Sequence, residues 1–216
     1  FVHFPANTID TGVCQEWEIA SAYNKEALPE FINPINDSLE TVAFMVIKND
    51  SIQFEKYWHG YSADTVSNSF SMSKSFVGTL IGVAITEGAI NRVDQKVCDF
   101  LPKFCEGRNI ELTIKDLLTM SSGLNWIEDY YNPIGQTAEA YYGSDLKGLM
   151  MGLKVVKAPG KTFKYHSSCT QILTFILEAA TKKTISDYAS EKLWKPMGAK
   201  HLALWNTDVE GGDEKG

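Results

Sequence analysis

The chain has 216 residues, 44% hydrophobic and 22% charged, a length and balance that suit a globular protein with a core of its own. A formal net charge of -7 and a pI near 5.1, with 20 basic residues spread along the chain, exclude a basic nucleic-acid-binding surface. No apolar run reaches the roughly 18 residues of a membrane span; the longest, Phe76 to Ile85, is broken by Gly78, Thr79 and Gly82.

Residues 1–40 read as an irregular segment with Pro5, Pro29 and Pro34. The chain opens at Phe1 with neither Met nor a signal-peptide pattern, which fits a processed or trimmed form. Residues 41–70 hold a β-hairpin. Thr41 to Lys48 is apolar and β-branched, Asn49-Asp50 supplies a turn, and Ser51 to Tyr57 alternates. The first strand is expected to be deeply buried and the second half exposed. A lone hairpin is marginal in water, so further strands are expected beside it. They are sought in a C-terminal segment outside these residues or on another chain, because residues 207–216 are polar, Gly-rich and loop-like.

Residues 71–206 read as a helical lobe. Met72 to Glu87 carries apolar residues on nearly every face, which predicts an interior helix ending at Gly88. Thr113 to Asp116 resembles a capping box that opens a short helix, Lys115 to Met120. Thr170 to Thr181 has helical spacing, and so has Ser186 to Trp194, with Ser186 as the expected cap and Pro196 as the stop.

The segment that carries chemistry is Phe70-Ser71-Met72-Ser73-Lys74. On a helix, Ser71 and Lys74 share one face at roughly 5–6 Å between Cβ atoms. A serine hydroxyl needs a base to become a nucleophile. Lysine is that base only after losing its proton, and burial disfavours the ammonium form. A helix N-terminus adds N–H groups where an oxyanion would form. Ahead of the helix at Thr170, Tyr165 and Ser167 stand two apart in an extended loop, so their side chains can face the same way. Tyr165 could relay a proton, and Ser167 could bond Lys74 or a substrate.

Ser71-Met72-Ser73-Lys74 and Tyr165-His166-Ser167 resemble the first two active-site motifs of the β-lactamase and penicillin-binding superfamily. Their spacing resembles the branch of class C β-lactamases, D-alanyl-D-alanine carboxypeptidases, EstB-type esterases and 6-aminohexanoate-dimer hydrolase. Ile114 to Leu124 and Glu191 to Gly198 resemble two further segments of that branch, so the likeness covers residues 40–206. It implies an α+β, β-lactamase/transpeptidase-like fold, an antiparallel sheet plus a helical lobe. It also implies a serine hydrolase of an amide or ester, with Ser71 acylated and Lys74 and Tyr165 moving protons. Asn125 to Pro133 resembles the 6-aminohexanoate-dimer hydrolase group, where a tyrosine of this loop touches substrate. That points to Tyr130, with Trp126 lining the pocket and Ser167 among the substrate contacts. A non-catalytic peptide-binding or sensor protein is the alternative.

Two departures matter. Class C β-lactamases have Tyr-x-Asn where this chain ends in Ser167, which favours esters, amides or peptides over β-lactams. The family's third motif, Lys/His-Thr/Ser-Gly, is absent, since Lys161-Thr162 is followed by Phe163. These residues alone are therefore expected to be a poor catalyst.

No cofactor or metal is expected. The four histidines are scattered without HExxH spacing, no cysteines form CxxC, and no G-x-S-x-G elbow occurs. Gly160-Lys161-Thr162 lacks the glycine a phosphate-binding loop requires at position 155, which is Val155. The expected partner is a small-molecule or peptide substrate, and the oligomeric state is not encoded in these patterns. A Cys98–Cys105 pair would favour an oxidising compartment, periplasmic or secreted. Four free thiols, including Cys14 and Cys169, are the equal alternative.

Overall fold

Two units make up the computed structural model, which describes residues 4–216: Phe1–Gly12 with Ser69–Gly216, and Val13–Asn68. The segment read as irregular holds regular structure, namely β1 (Ala6–Ile9), β2 (Glu18–Ile19) and α1 (Ile32–Ser38). These pieces are too short to show a period in sequence.

In the unit Val13–Asn68, β3 (Ala43–Lys48) and β4 (Ser51–Tyr57) form the expected antiparallel hairpin. Asn49 and Asp50 both adopt left-handed φ angles, 50° and 58°, as a twisted two-residue hairpin turn requires. β2 pairs parallel to β4, giving the order β2-β4-β3. The deep burial expected of the first strand is corrected, while β4 is half-buried as expected. Met45, Val46 and Ile47 on β3 are exposed, whereas Ile52 on β4 is buried. β3 is an edge strand, with a neighbour on one side only among the described residues.

In the other unit, β1 pairs antiparallel with β5 (Ala203–Asn206), Ile9 opposite Ala203. The helices are α2 (Ser73–Thr86), α3 (Ile114–Leu118), α4 (Gln136–Tyr142), α5 (Leu146–Met151), α6 (Ser167–Thr181) and α7 (Ile185–Ala189). α6 is the central one, with every residue from Ser168 to Leu177 buried. Two of its polar members are satisfied: Thr174 Oγ1 donates to the Gln171 carbonyl at 2.6 Å, and Gln171 Nε2 donates to the Glu214 carbonyl at 2.8 Å, whereas the buried Ser168 Oγ has no hydrogen-bond partner among the described residues. α2 is not the all-round buried helix expected. Val77, Leu80, Ile81 and Ala84 face the core, but Ser75, Thr79 and Gly82 form an exposed face. The apolar count hid a stripe of small and polar side chains.

The Thr113 cap forms as read. Thr113 Oγ1 accepts from Asp116 N at 3.2 Å, and Asp116 Oδ2 accepts from Thr113 N at 3.0 Å. Gly88 ends α2 at φ 78°. The cap of α7 is Thr184 rather than Ser186, its side chain accepting from Asp187 N.

The tail read as a loop is tied to the core by polar bonds. Glu214, 1% exposed, accepts from Asn7 Nδ2 at 2.5 Å and from Ser186 N at 2.9 Å. Trp205 Nε1 donates to the Lys215 carbonyl at 2.5 Å.

Nearby, burial on α6 pushes the Glu178 carboxyl up to about 7, with Glu214 and Asp213 adding to the rise and Lys147 opposing it. A carboxyl with a raised folded-state value holds its proton longer in the folded chain. Its contribution is therefore fully present below the unfolded value of about 4.3 and is lost as pH rises through about 7. Thermal denaturation should show the melting temperature falling from about pH 5 to about pH 8, and Glu178→Gln should flatten that fall. An unchanged slope in the variant contradicts this assignment.

Candidate active site

Ser71 lies in a 3-10 turn, Phe70–Met72, that runs into α2. Phe70 holds φ at 45°, a left-handed conformation that costs a non-glycine residue of order 1–3 kcal/mol. Ser73 Oγ donates to the Phe70 carbonyl at 2.9 Å and clamps this turn.

The three residues expected to do chemistry meet. Lys74 Nζ donates to Ser71 Oγ at 3.2 Å, and Tyr165 OH donates to the same oxygen at 2.8 Å. Lys74 Nζ also lies 5.6 Å from the Tyr165 ring centroid, within cation–π range. The shelter expected from an apolar helix is only partial, because Lys74 is half-buried and Tyr165 is 37% exposed. The ammonium is held by the serine oxygen and the phenol ring.

Two backbone ties bring the loops together. Val156 N and Lys157 N both donate to the Gly123 carbonyl, at 2.9 and 3.1 Å. Gly123 has φ 67°, and a Cβ there would stand 2.3 Å from the Lys157 carbonyl oxygen, so only glycine fits. Gly160 N donates to the Ser121 carbonyl and Lys164 N to the Met120 carbonyl, both at 2.8 Å. The loop bearing Trp126 to Tyr130 thus runs beside the one bearing Tyr165.

The remaining predicted residues converge on a carboxylate that sequence reasoning passed over, Glu128. Its Oε1 accepts from Ser167 Oγ at 2.6 Å and from Tyr130 OH at 2.5 Å. Its Oε2 accepts from Trp126 Nε1 at 2.6 Å and from Ser167 N at 2.7 Å. Burial pushes this carboxyl up, but the bonds from Ser167, Tyr130 and Trp126 prevail and hold it below the usual carboxylate range. It also sits at the N-terminus of α6, where negative charge is favoured. The Tyr130 hydroxyl is pushed up to about 12, by burial first and then by its bond to Glu128.

Two assignments change accordingly. Trp126, 1% exposed, does not line an open pocket and instead supports Glu128 from behind. The Ser167 hydroxyl bonds Glu128 instead of Lys74. Tyr130, 58% exposed, remains able to reach a substrate. The signal for Glu128 was its place two residues from both Trp126 and Tyr130, but an acidic loop residue reads as solvated. His166 is buried, and neither ring nitrogen has a hydrogen-bond partner among the described residues. Burial, then Lys164, pushes its imidazole below the ordinary value, with Glu128 opposing. Among the described residues no cluster of three or more His, Cys, Asp or Glu could hold a metal ion.

This chain is similar to known proteins over most of its length. It is 28% identical over 181 residues to a 6-aminohexanoate-dimer hydrolase of Paenarthrobacter ureafaciens, covering 79% of this chain and 46% of that protein. It is 26% identical over 180 residues to the protein flp of Staphylococcus aureus, covering 78% of this chain and 35% of the relative. The chain thus spans about half or less of these curated relatives. Among solved structures, a Bacillus anthracis protein assigned as a 6-aminohexanoate-dimer hydrolase superposes with a TM-score of 0.81 at 19% identity, over 98% of this chain and 62% of that one. A class C β-lactamase superposes at 0.57 and 19% identity, over 75% and 45%. These likenesses place the fold in the α+β, β-lactamase/transpeptidase-like class. Residues 28–212 match the family Beta-lactamase, and the chain belongs to that family.

Proposed function

We propose that this chain carries the catalytic centre of a serine hydrolase that cleaves an amide or ester through an acyl-enzyme on Ser71. The observation that carries this reading is the pair of bonds on Ser71 Oγ, 3.2 Å from Lys74 Nζ and 2.8 Å from Tyr165 OH. Both lie at the reach a proton transfer needs. Once Lys74 or Tyr165 has lost its proton, it takes the hydroxyl proton of Ser71. Oγ then adds to the substrate carbonyl carbon, and the bond from that carbon to the leaving nitrogen or oxygen breaks. The same proton passes to the leaving group. A water molecule then gives a proton to the same base and adds to the acyl carbon; the bond to Ser71 Oγ breaks, the base returns that proton to Oγ, and the acid leaves.

The identity of 28% to a protein named for hydrolysing the 6-aminohexanoate dimer supports an amide substrate. So does Tyr130, which donates its hydroxyl proton to Glu128 and keeps its lone pairs for an N–H donor. The Cys98–Cys105 disulfide supports an oxidising compartment, periplasmic or extracellular.

Turnover of p-nitrophenyl acetate tests the reading. Turnover is expected, with loss in Ser71→Ala to the level of the spontaneous reaction. Undiminished turnover in that variant contradicts the reading. A Ser71 that no fluorophosphonate or fluorescent penicillin labels would favour a silent ligand-binding protein instead.

A further inference from the structure

We propose that Glu128 is a positioning residue that sets the hydrogen-bond polarity of this site, making Tyr130 and Ser167 acceptors toward the substrate. The inference rests on the hydrolase reading and deepens it.

A hydroxyl has one hydrogen to donate. Those of Tyr130 and Ser167 both point at Glu128 Oε1, at 2.5 and 2.6 Å, so only oxygen lone pairs remain for anything that approaches. The other carboxylate oxygen holds two groups that can only donate, the Trp126 indole N–H at 2.6 Å and the Ser167 backbone N–H at 2.7 Å. All four donors are thereby assigned, and the carboxylate has little capacity left to bind a substrate cation itself. It acts through the two hydroxyls. The ionisable groups that feel its charge are Tyr130 on the same loop, Tyr141 on α4, and His166 and Cys169 at the start of α6.

Glu128→Gln has a determinate outcome. The indole and backbone N–H groups cannot accept, so the amide oxygen must occupy the Oε2 position. The amide NH2 then occupies the Oε1 position and faces both hydroxyls. They turn to accept from it, and at least the Tyr130 proton is freed toward the substrate, since Ser167 stands close enough to donate to Tyr130. The site changes from acceptor to donor with almost no change in shape.

The test compares a p-nitroanilide with the p-nitrophenyl ester of the same acyl group, which differ in whether the leaving atom carries a hydrogen. In Glu128→Gln the amide-to-ester ratio of kcat/KM is expected to fall about tenfold, mainly in the kcat of the amide, as loss of one hydrogen bond made in the transition state would give. Ser71 labelling by a fluorophosphonate, whose leaving group carries no hydrogen, is expected to follow the ester and not the amide. Glu128→Asp, which keeps two acceptor oxygens, should recover part of the ratio. A purely structural role would lower both substrates together, and that result, or an unchanged ratio, overturns the inference.

If Glu128→Gln loses labelling through misfolding, Tyr130→Phe carries the test. It removes one acceptor and should lower the same ratio, whereas an equal effect on both substrates overturns the proposal. Failure of the underlying reading has a separate signature, a wild-type protein whose Ser71 is never acylated. That result removes both.

Discussion

Lys74→Ala is expected to lower kcat by roughly a thousandfold, within the range of about 10²–10⁴ for a positioned general base. At 1.36 kcal/mol per tenfold, this is about 4 kcal/mol of barrier. Nζ stands 3.2 Å from the Ser71 hydroxyl, on the oxygen that also receives the Tyr165 hydroxyl at 2.8 Å. Lys74→Arg separates two roles the amine could have. Guanidinium keeps the positive charge but does not give up a proton. If Lys74 acts as a base, arginine should be as inactive as alanine. If arginine restores most of the rate, Lys74 contributes charge alone. Tyr165→Phe should cost about a hundredfold, because it keeps the ring beneath Lys74 Nζ but removes the second proton carrier. Losses in the double variant should not multiply, since the two residues act on one oxygen. Single-turnover acylation kinetics read all of these values.

Trp126→Ala is expected to destabilise the chain by about 3–5 kcal/mol, the usual range for removing a large buried aromatic side chain. Trp126 is 1% exposed and belongs to the core of the helical unit. Trp126→Phe should cost less, about 1.5–3 kcal/mol, because it removes chiefly the indole bond to a charged group, Glu128. Urea denaturation gives both values. A tryptophan lining an open substrate pocket would behave differently, raising KM while leaving the denaturation midpoint unmoved. That second pattern contradicts the buried placement.

Much of the fold was legible in sequence where local chemistry decides it. The Asn49-Asp50 turn, the Thr113 capping box and the end of α2 at Gly88 all depend on backbone preferences that nearby residues encode. What failed to show depends on distant partners. β1 is four residues long and exists because Ala203–Asn206 lies beside it. Glu214 looked like part of a solvated tail, yet it is buried because Asn7 and Ser186 reach it from far along the chain. The exposed face of α2 was obscured because glycine, serine and threonine interrupt its apolar run without marking it as polar.

The site divides along the same line. Ser71 and Lys74 were readable because a three-residue spacing on a helix fixes their meeting. Tyr165 was readable only through its resemblance to a family motif, since its contact with Ser71 spans 94 positions. Glu128 carried no periodicity and no motif of its own. Its role appears only when Trp126, Tyr130 and Ser167 are seen to share it.

Peptide mapping by mass spectrometry after fluorophosphonate treatment tests the central claim most directly. A single adduct is expected on Ser71, absent in Ser71→Ala and formed far more slowly in Lys74→Ala. An adduct on another residue, or a Ser71 adduct whose rate ignores the loss of Lys74, contradicts the account.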